Sequence, residues 1–83
     1  MDKETKELKQ ELIFQFSKKI KNTKDIFKEF LTYVYITFEN KINLTKHILI
    51  KNKYIKIRKS ILQYFVANEK SITSEILRSR IKR

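Results

Sequence analysis

No glycine and no proline occur anywhere in the 83 residues of this chain, and this double absence limits the fold more than any other feature. Tight hairpins, strand corners and phosphate-cradling loops lean on Gly, Pro or Asn for backbone angles that other residues reach only at a cost. A P-loop and a glycine-rich dinucleotide fingerprint are both excluded, because each needs glycine where backbone closes on phosphate. Helices joined by short polar links need neither residue. The expected fold is therefore all-α, a compact bundle of four to five short helices.

A chain of this length makes one domain and buries only about 60–65% of its unfolded surface. It has no Cys, so disulfides and Cys-type zinc sites are unavailable and the redox compartment is unconstrained. Small domains without such staples often depend on self-association, and a homo-oligomer is expected. The apolar runs are short (12–14, 34–36 and 48–50 among them) and none spans a bilayer. Asp2, Glu4 and Glu7 stand where a secretory leader would be basic and then apolar, so an intracellular protein, cytoplasmic or in a host cytoplasm, is expected. Lys outnumbers Arg sixteen to four and Ala67 is the only Ala. That bias suits a thermophile, and an AT-rich genome would produce it equally.

Hydrophobic periodicity divides the chain. Leu8, Leu12, Phe16 and Ile20 repeat every four residues with Ile13 beside them, predicting a helix over about 3–20 with Phe14 facing away. Asn22 or Thr23 is a plausible N-cap for a second helix to about 39, with Asp25 in its first turn. Phe27, Phe30, Leu31, Val34 and Phe38 form its main stripe, and Ile26, Tyr33, Tyr35 and Ile36 widen it until little polar face remains. A helix that apolar is either central to its domain or shared between subunits. Beyond Asn43 two readings compete. One is a short helix at 44–49, a turn, and a helix at 52–66 carrying Tyr54, Ile57, Ile61, Leu62 and Phe65. The other is a β-hairpin in which Ile48, Ile50, Ile55 and Ile57 alternate about a turn at Lys51, Asn52 and Lys53. The helical reading is preferred because its stripe continues to Val66. A last helix is capped by Ser71 or Thr73, with Ile72, Ile76, Leu77 and Ile81 inward and Arg78, Ser79, Lys82 and Arg83 outward.

Charge separates the two halves. Residues 1–42 hold nine Lys against seven acids, a net of +2, and residues 43–83 hold eleven Lys and Arg against two acids, a net of +9. The front half reads as scaffold and subunit contact, and the back half as a surface for an acidic partner. The densest stretch is 51–59. There Lys51, Asn52, Lys53, Lys56, Arg58 and Lys59 interleave with Tyr54, Ile55 and Ile57. On a helix Asn52, Lys56 and Lys59 share one face, with Lys53 at its edge, offering amide and ammonium groups to phosphates and base edges. The bland alternative is a solvated Lys face.

With Leu44, Ile48, Ile50 and Ile55 at its apolar offsets, the run 44–59 resembles a helix-turn-helix, although Leu49 stands at the turn position usually held by Gly. The resemblance extends in size and composition to the small Lys- and Ile-rich helix-turn-helix proteins of viruses and plasmids, archaeal ones included. It implies that Asn52, Lys53, Lys56 and Lys59 face the major groove while Lys46 and Lys51 clamp phosphates. Arg78, Arg80 and Arg83, with Lys82, form a second basic cluster suited to bidentate phosphate contacts or to a frayed tail. Gln10, Ile13 and Phe16, spaced by three, resemble the first part of the peptide motif that docks on sliding clamps. Ser17 replaces its second aromatic, and helix packing accounts for the same residues.

Catalysis finds no signature: His47 is the only His, and without Cys it has no second member for a nucleophile or metal pair. The acids are expected to pair with Lys along their own helices, Glu7 with Lys3 and Asp25 with Lys28. No cofactor and no small-molecule substrate is expected. The expected function is DNA binding through a basic helix, as a sequence-specific regulator or a replication accessory. The rival is a protein-interaction module using Gln10, Ile13 and Phe16 or the aromatic Tyr33 and Tyr35. Membrane-surface binding is disfavoured because the core has first claim on the bulky apolar residues.

Overall fold

Four-residue apolar spacing becomes four helices in the computed structural model, which describes residues 3–21 and 24–81: α1 (Lys3–Lys19), α2 (Ile26–Leu44), α3 (Ile48–Ala67) and α4 (Glu69–Ile81). No strand occurs among the described residues. Leu12, Ile13, Phe16 and Ile20 bury the α1 stripe, while Phe14 faces solvent with the Lys18 Nζ 4.1 Å above its ring. Glu4 lies in the first turn of α1 and Lys18 and Lys19 in its last, the arrangement its dipole favours.

Each helix packs on the other three, most extensively α1 on α4 and α2 on α3. Phe30, Val34 and Phe38 are sealed from water and meet Phe16 from α1, Ile61 and Phe65 from α3, and Ile72 and Ile76 from α4 in one core. The Phe30 ring lies 5.3 Å from Phe16 and 4.9 Å from Phe65. Each buried ring contributes about 1.5–3 kcal/mol by removal from water. Tyr35 and Ile36 remain about half exposed.

The pairs joining α2 to α3 run in opposite senses along the two helices: Phe30 with Phe65, Glu39 with Arg58, and Lys41 with Tyr54. The two helices are an antiparallel hairpin closed by residues 45–47. Two threonine contacts end α2: the Thr45 hydroxyl donates to the Lys41 carbonyl at 2.7 Å, and the Thr45 N–H to that of Ile42 at 3.3 Å. α1 runs alongside α3 in the same sense, with Glu4 beside Lys53 and Lys9 beside Tyr64.

The ends of α1 and α3 fall within a residue of expectation, and the structure departs from the sequence expectations at the start of α2, at its end, and at the starts of α3 and α4. Asp25 is the N-cap of α2 rather than a first-turn residue, with φ 55° and ψ 33°. This left-handed conformation suits Asp better than most residues where a chain has no glycine to offer. The proposed caps Asn22 and Thr23 lie outside the described residues. Residues 44–59 are not two helices about a turn at Leu49: Leu44 closes α2, and α3 runs unbroken through Lys51, Asn52 and Lys53. The β-hairpin reading fails for the same reason. Nothing in 48–59 breaks a helix, and His47 starts one: its Nδ1 accepts from the Leu49 N–H at 3.2 Å. Ser71 and Thr73 lie inside α4, whose start is set by Asn68. That residue is the whole link to α3: its N–H and side-chain amide both reach the Tyr64 carbonyl, and its own carbonyl accepts from Ile72. Ile81, expected inward, is 82% exposed.

Candidate nucleic-acid interface

Burial of Tyr54, Ile57, Ile61 and Phe65 against the core fixes which side of α3 meets water. Asn52, Lys56, Lys59 and Gln63 follow one another at spacings of four, three and four, so they lie in a single row on the opposite side, and all four are exposed. Lys53 and Ser60 flank the row, also exposed. Among the described residues neither Lys56 nor Lys59 has an ion-pair partner. Gln63 was not singled out from the sequence, because it falls beyond the dense run at 51–59. The signal that finds it is the helical row itself, extended by one more turn.

The remaining cations of the stretch differ from this row. Arg58, a proposed phosphate contact, turns inward: its Nη1 lies 2.6 Å from the Glu39 carboxylate, its side chain is 18% exposed, and its guanidinium stacks 4.6 Å from the centre of the Tyr35 ring. It pins α3 to α2. Lys53 reaches across to Glu4 at 3.2 Å, and both side chains stay open to solvent. An exposed pair of that kind is worth about 0.2–1 kcal/mol. Lys51 is half-buried on the flank of α3, and Lys46 is exposed in the connector. α3 has no acid in its first turn, so the positive end of its dipole adds to these charges.

The ion pairs found among the described residues join different helices rather than neighbours on one: Glu4 with Lys53, Glu39 with Arg58, and Glu75 with Lys9 at 4.0 Å. The expected pairs Glu7–Lys3 and Asp25–Lys28 do not form. Lys9 is the exceptional member. Its side chain is 11% exposed, and its ammonium sits 5.2 Å from the centre of the Tyr64 ring, tying α1 to both α3 and α4.

Arg78 is exposed and Arg80 half-buried on the last turn of α4. Arg78 lines a shallow groove with Gln10, Ile13, Glu75 and Ser79, and no contact among the described residues joins it to the cations of α3. Lys82 and Arg83 lie outside the described residues. The clamp-type motif is spent in the core: Ile13 and Phe16 are 3% and 6% exposed, and only Gln10 is accessible. Tyr33 packs 5.5 Å from Phe16, and Tyr35 is covered on one face by Arg58. Among the described residues no three His, Cys, Asp or Glu side chains gather as metal ligands, and no helix is long and apolar enough to cross a membrane. Comparison with protein-family models, with curated proteins and with solved structures finds no match to this chain.

Proposed function

We propose that this chain is a duplex-DNA-binding protein that lays the outer side of α3 against the nucleic acid. The observation that carries the reading is the exposed row of Asn52, Lys56, Lys59 and Gln63, set in a segment, 40–68, that contains no acidic residue at all. Eleven helical steps separate Asn52 from Gln63, a rise of about 16 Å. An α-helix fits the major groove, and a row of that length spans about five base pairs. The two amides can each give and take a hydrogen bond at a base edge, while the two ammonium groups meet phosphates or guanine acceptors. Lys46, Lys51 and Lys53 flank the row as backbone contacts, and Arg58 leaves the contact set. A helix-turn-helix is not needed for this reading, because a single helix held by its apolar side presents the same groups. Either a sequence-specific regulator or a replication accessory could use such a face.

Five lysines on phosphates give a log–log salt slope of about −4.5 for duplex affinity. Titration of duplex DNA at two salt concentrations tests this. Lys56→Ala with Lys59→Ala should reduce the slope by about 2. Asn52→Ala with Gln63→Ala should leave the slope alone and flatten discrimination between sequences. Unchanged duplex affinity of the double lysine variant at low salt would overturn the reading.

A further inference from the structure

The tip of the α2–α3 hairpin carries aliphatic side chains that the core has left in water. Leu44, Ile48 and Leu49 are 83%, 64% and 70% exposed, and only residues 45–47 separate them along the chain. Ile50 and Ile55 are exposed behind them at 44% and 43%. The disfavoured status of membrane binding rested on the core's claim to these residues, and the core does not take them. Cations surround the same tip. Lys41 and Lys46 are exposed beside Leu44, and Lys51 and Lys53 follow on the first turns of α3. From Asn40 to Asn68 the sequence holds seven Lys and Arg and no acid.

The occupant of this surface must therefore be apolar at its centre and anionic around it. A second copy docked tip to tip would set two strongly basic stretches against each other, with only the Glu4 carboxylate beside Lys53 to offset them. A DNA duplex supplies the phosphates, but it offers branched aliphatic side chains no dry receptor unless its bases are unstacked. An anionic lipid surface supplies both halves: headgroup phosphates and carboxylates outside, and an acyl boundary beneath them. We propose that the hairpin tip docks on the surface of an anionic bilayer. Leu44, Ile48 and Leu49 enter the acyl boundary, and Lys41, Lys46, Lys51 and Lys53 stay at the headgroups with their stems lying along the apolar centre. This docking shares Lys46, Lys51 and Lys53 with the DNA reading, but its apolar centre of Leu44, Ile48 and Leu49 is separate from Lys56, Lys59 and the two amides further along α3.

The full chain has no Trp, so Ile48→Trp places a single indole reporter at the tip. Its emission should shift to the blue with vesicles of phosphatidylcholine and phosphatidylserine and stay unchanged with phosphatidylcholine alone or with duplex DNA. In co-sedimentation, Leu44→Ser, Ile48→Ser and Leu49→Ser together should weaken binding to the anionic vesicles at least about tenfold, while the circular-dichroism melt stays in place because the three sites are exposed. Three results would overturn the proposal. One is anionic-vesicle binding that the triple serine variant retains in full, which would mean charge attraction alone. A second is a blue shift with DNA and none with vesicles, which would mean a wedge between bases. The third is a triple serine variant that turns a dimer into a monomer by light scattering, which would mean a subunit contact.

Discussion

Removing Arg58 should weaken the fold and leave the proposed DNA contacts intact, and the size of the effect follows from its surroundings. Its charge meets Glu39 at 2.6 Å with 18% of the Arg58 side chain exposed, whereas Glu39 keeps 43% of its own. A fully exposed pair contributes about 0.2–1 kcal/mol, and breaking a fully buried one costs about 3–5 kcal/mol. Because Glu39 can be rehydrated, this pair belongs in the lower part of that interval, at about 1–1.5 kcal/mol. Stacking on Tyr35 adds about 0.5–1 kcal/mol. Arg58→Met keeps most of the aliphatic packing and should therefore cost about 1.5–2.5 kcal/mol in all. Glu39→Gln should cost about 1 kcal/mol, and the double variant should show a coupling of about the same size. Urea unfolding followed by far-ultraviolet circular dichroism measures all four proteins. In parallel, the salt slope for duplex binding by Arg58→Met should match the parent. A variant with an unmoved urea midpoint and a slope reduced by about 0.9 would place Arg58 on a phosphate and refute the argument.

Other outcomes follow from single positions. Asp25→Gly should raise the stability by about 0.5 kcal/mol, because glycine accepts the left-handed angles of the α2 cap, and Asp25→Val should lower it by about 1 kcal/mol or more. His47→Ala removes the side-chain acceptor at the start of α3 and should cost about 1 kcal/mol, with His47→Ser largely restoring it; thermal melts read both. Phe65→Ala opens the contact with Phe30 at the centre of the core and should cost about 3–5 kcal/mol, a large share of what a domain this size possesses. Ile81→Ser, at a site 82% exposed, should change the urea midpoint within error.

The helices were legible because Leu12, Phe16, Phe30, Val34, Phe38, Ile61, Phe65, Ile72 and Ile76 repeat at helical spacing, and all of them are buried. Their ends were less so. The connector at 45–47 and the corner at Asn68 contain no glycine or proline to mark them, and both are made by side chains that donate to the backbone (Thr45, Asn68) or accept from it (His47), of types that the sequence offers at many other places. The pairing of Arg58 was not legible because its partner is nineteen residues away on another helix. Intrahelical spacing shows which charges share a face, but not which of them a neighbouring helix neutralises. The exposed tip was missed for a related reason. Leu44, Ile48 and Leu49 have the chemistry of core residues, and only the position of the connector leaves them outside.

The antiparallel pairing of α2 with α3 also sets an order of events in time. Phe30 with Phe65, Glu39 with Arg58 and Lys41 with Tyr54 all close within one continuous hairpin, and the innermost pair is only thirteen residues apart along the chain. Loops that short close at little entropic cost, so the hairpin is expected to assemble first. α1 reaches α2 over a similar separation where Phe16 meets Phe30, but its ties to Lys53, Tyr64 and Glu75 each lie about fifty residues or more further along the chain. It is the element expected to dock last and to release first. Native-state hydrogen exchange should accordingly show α1 amides opening through a lower-energy route than those of Phe38 and Ile61. A release of α1 would uncover the rings of Phe30 and Tyr33, leaving a hairpin that keeps both its basic row and its apolar tip.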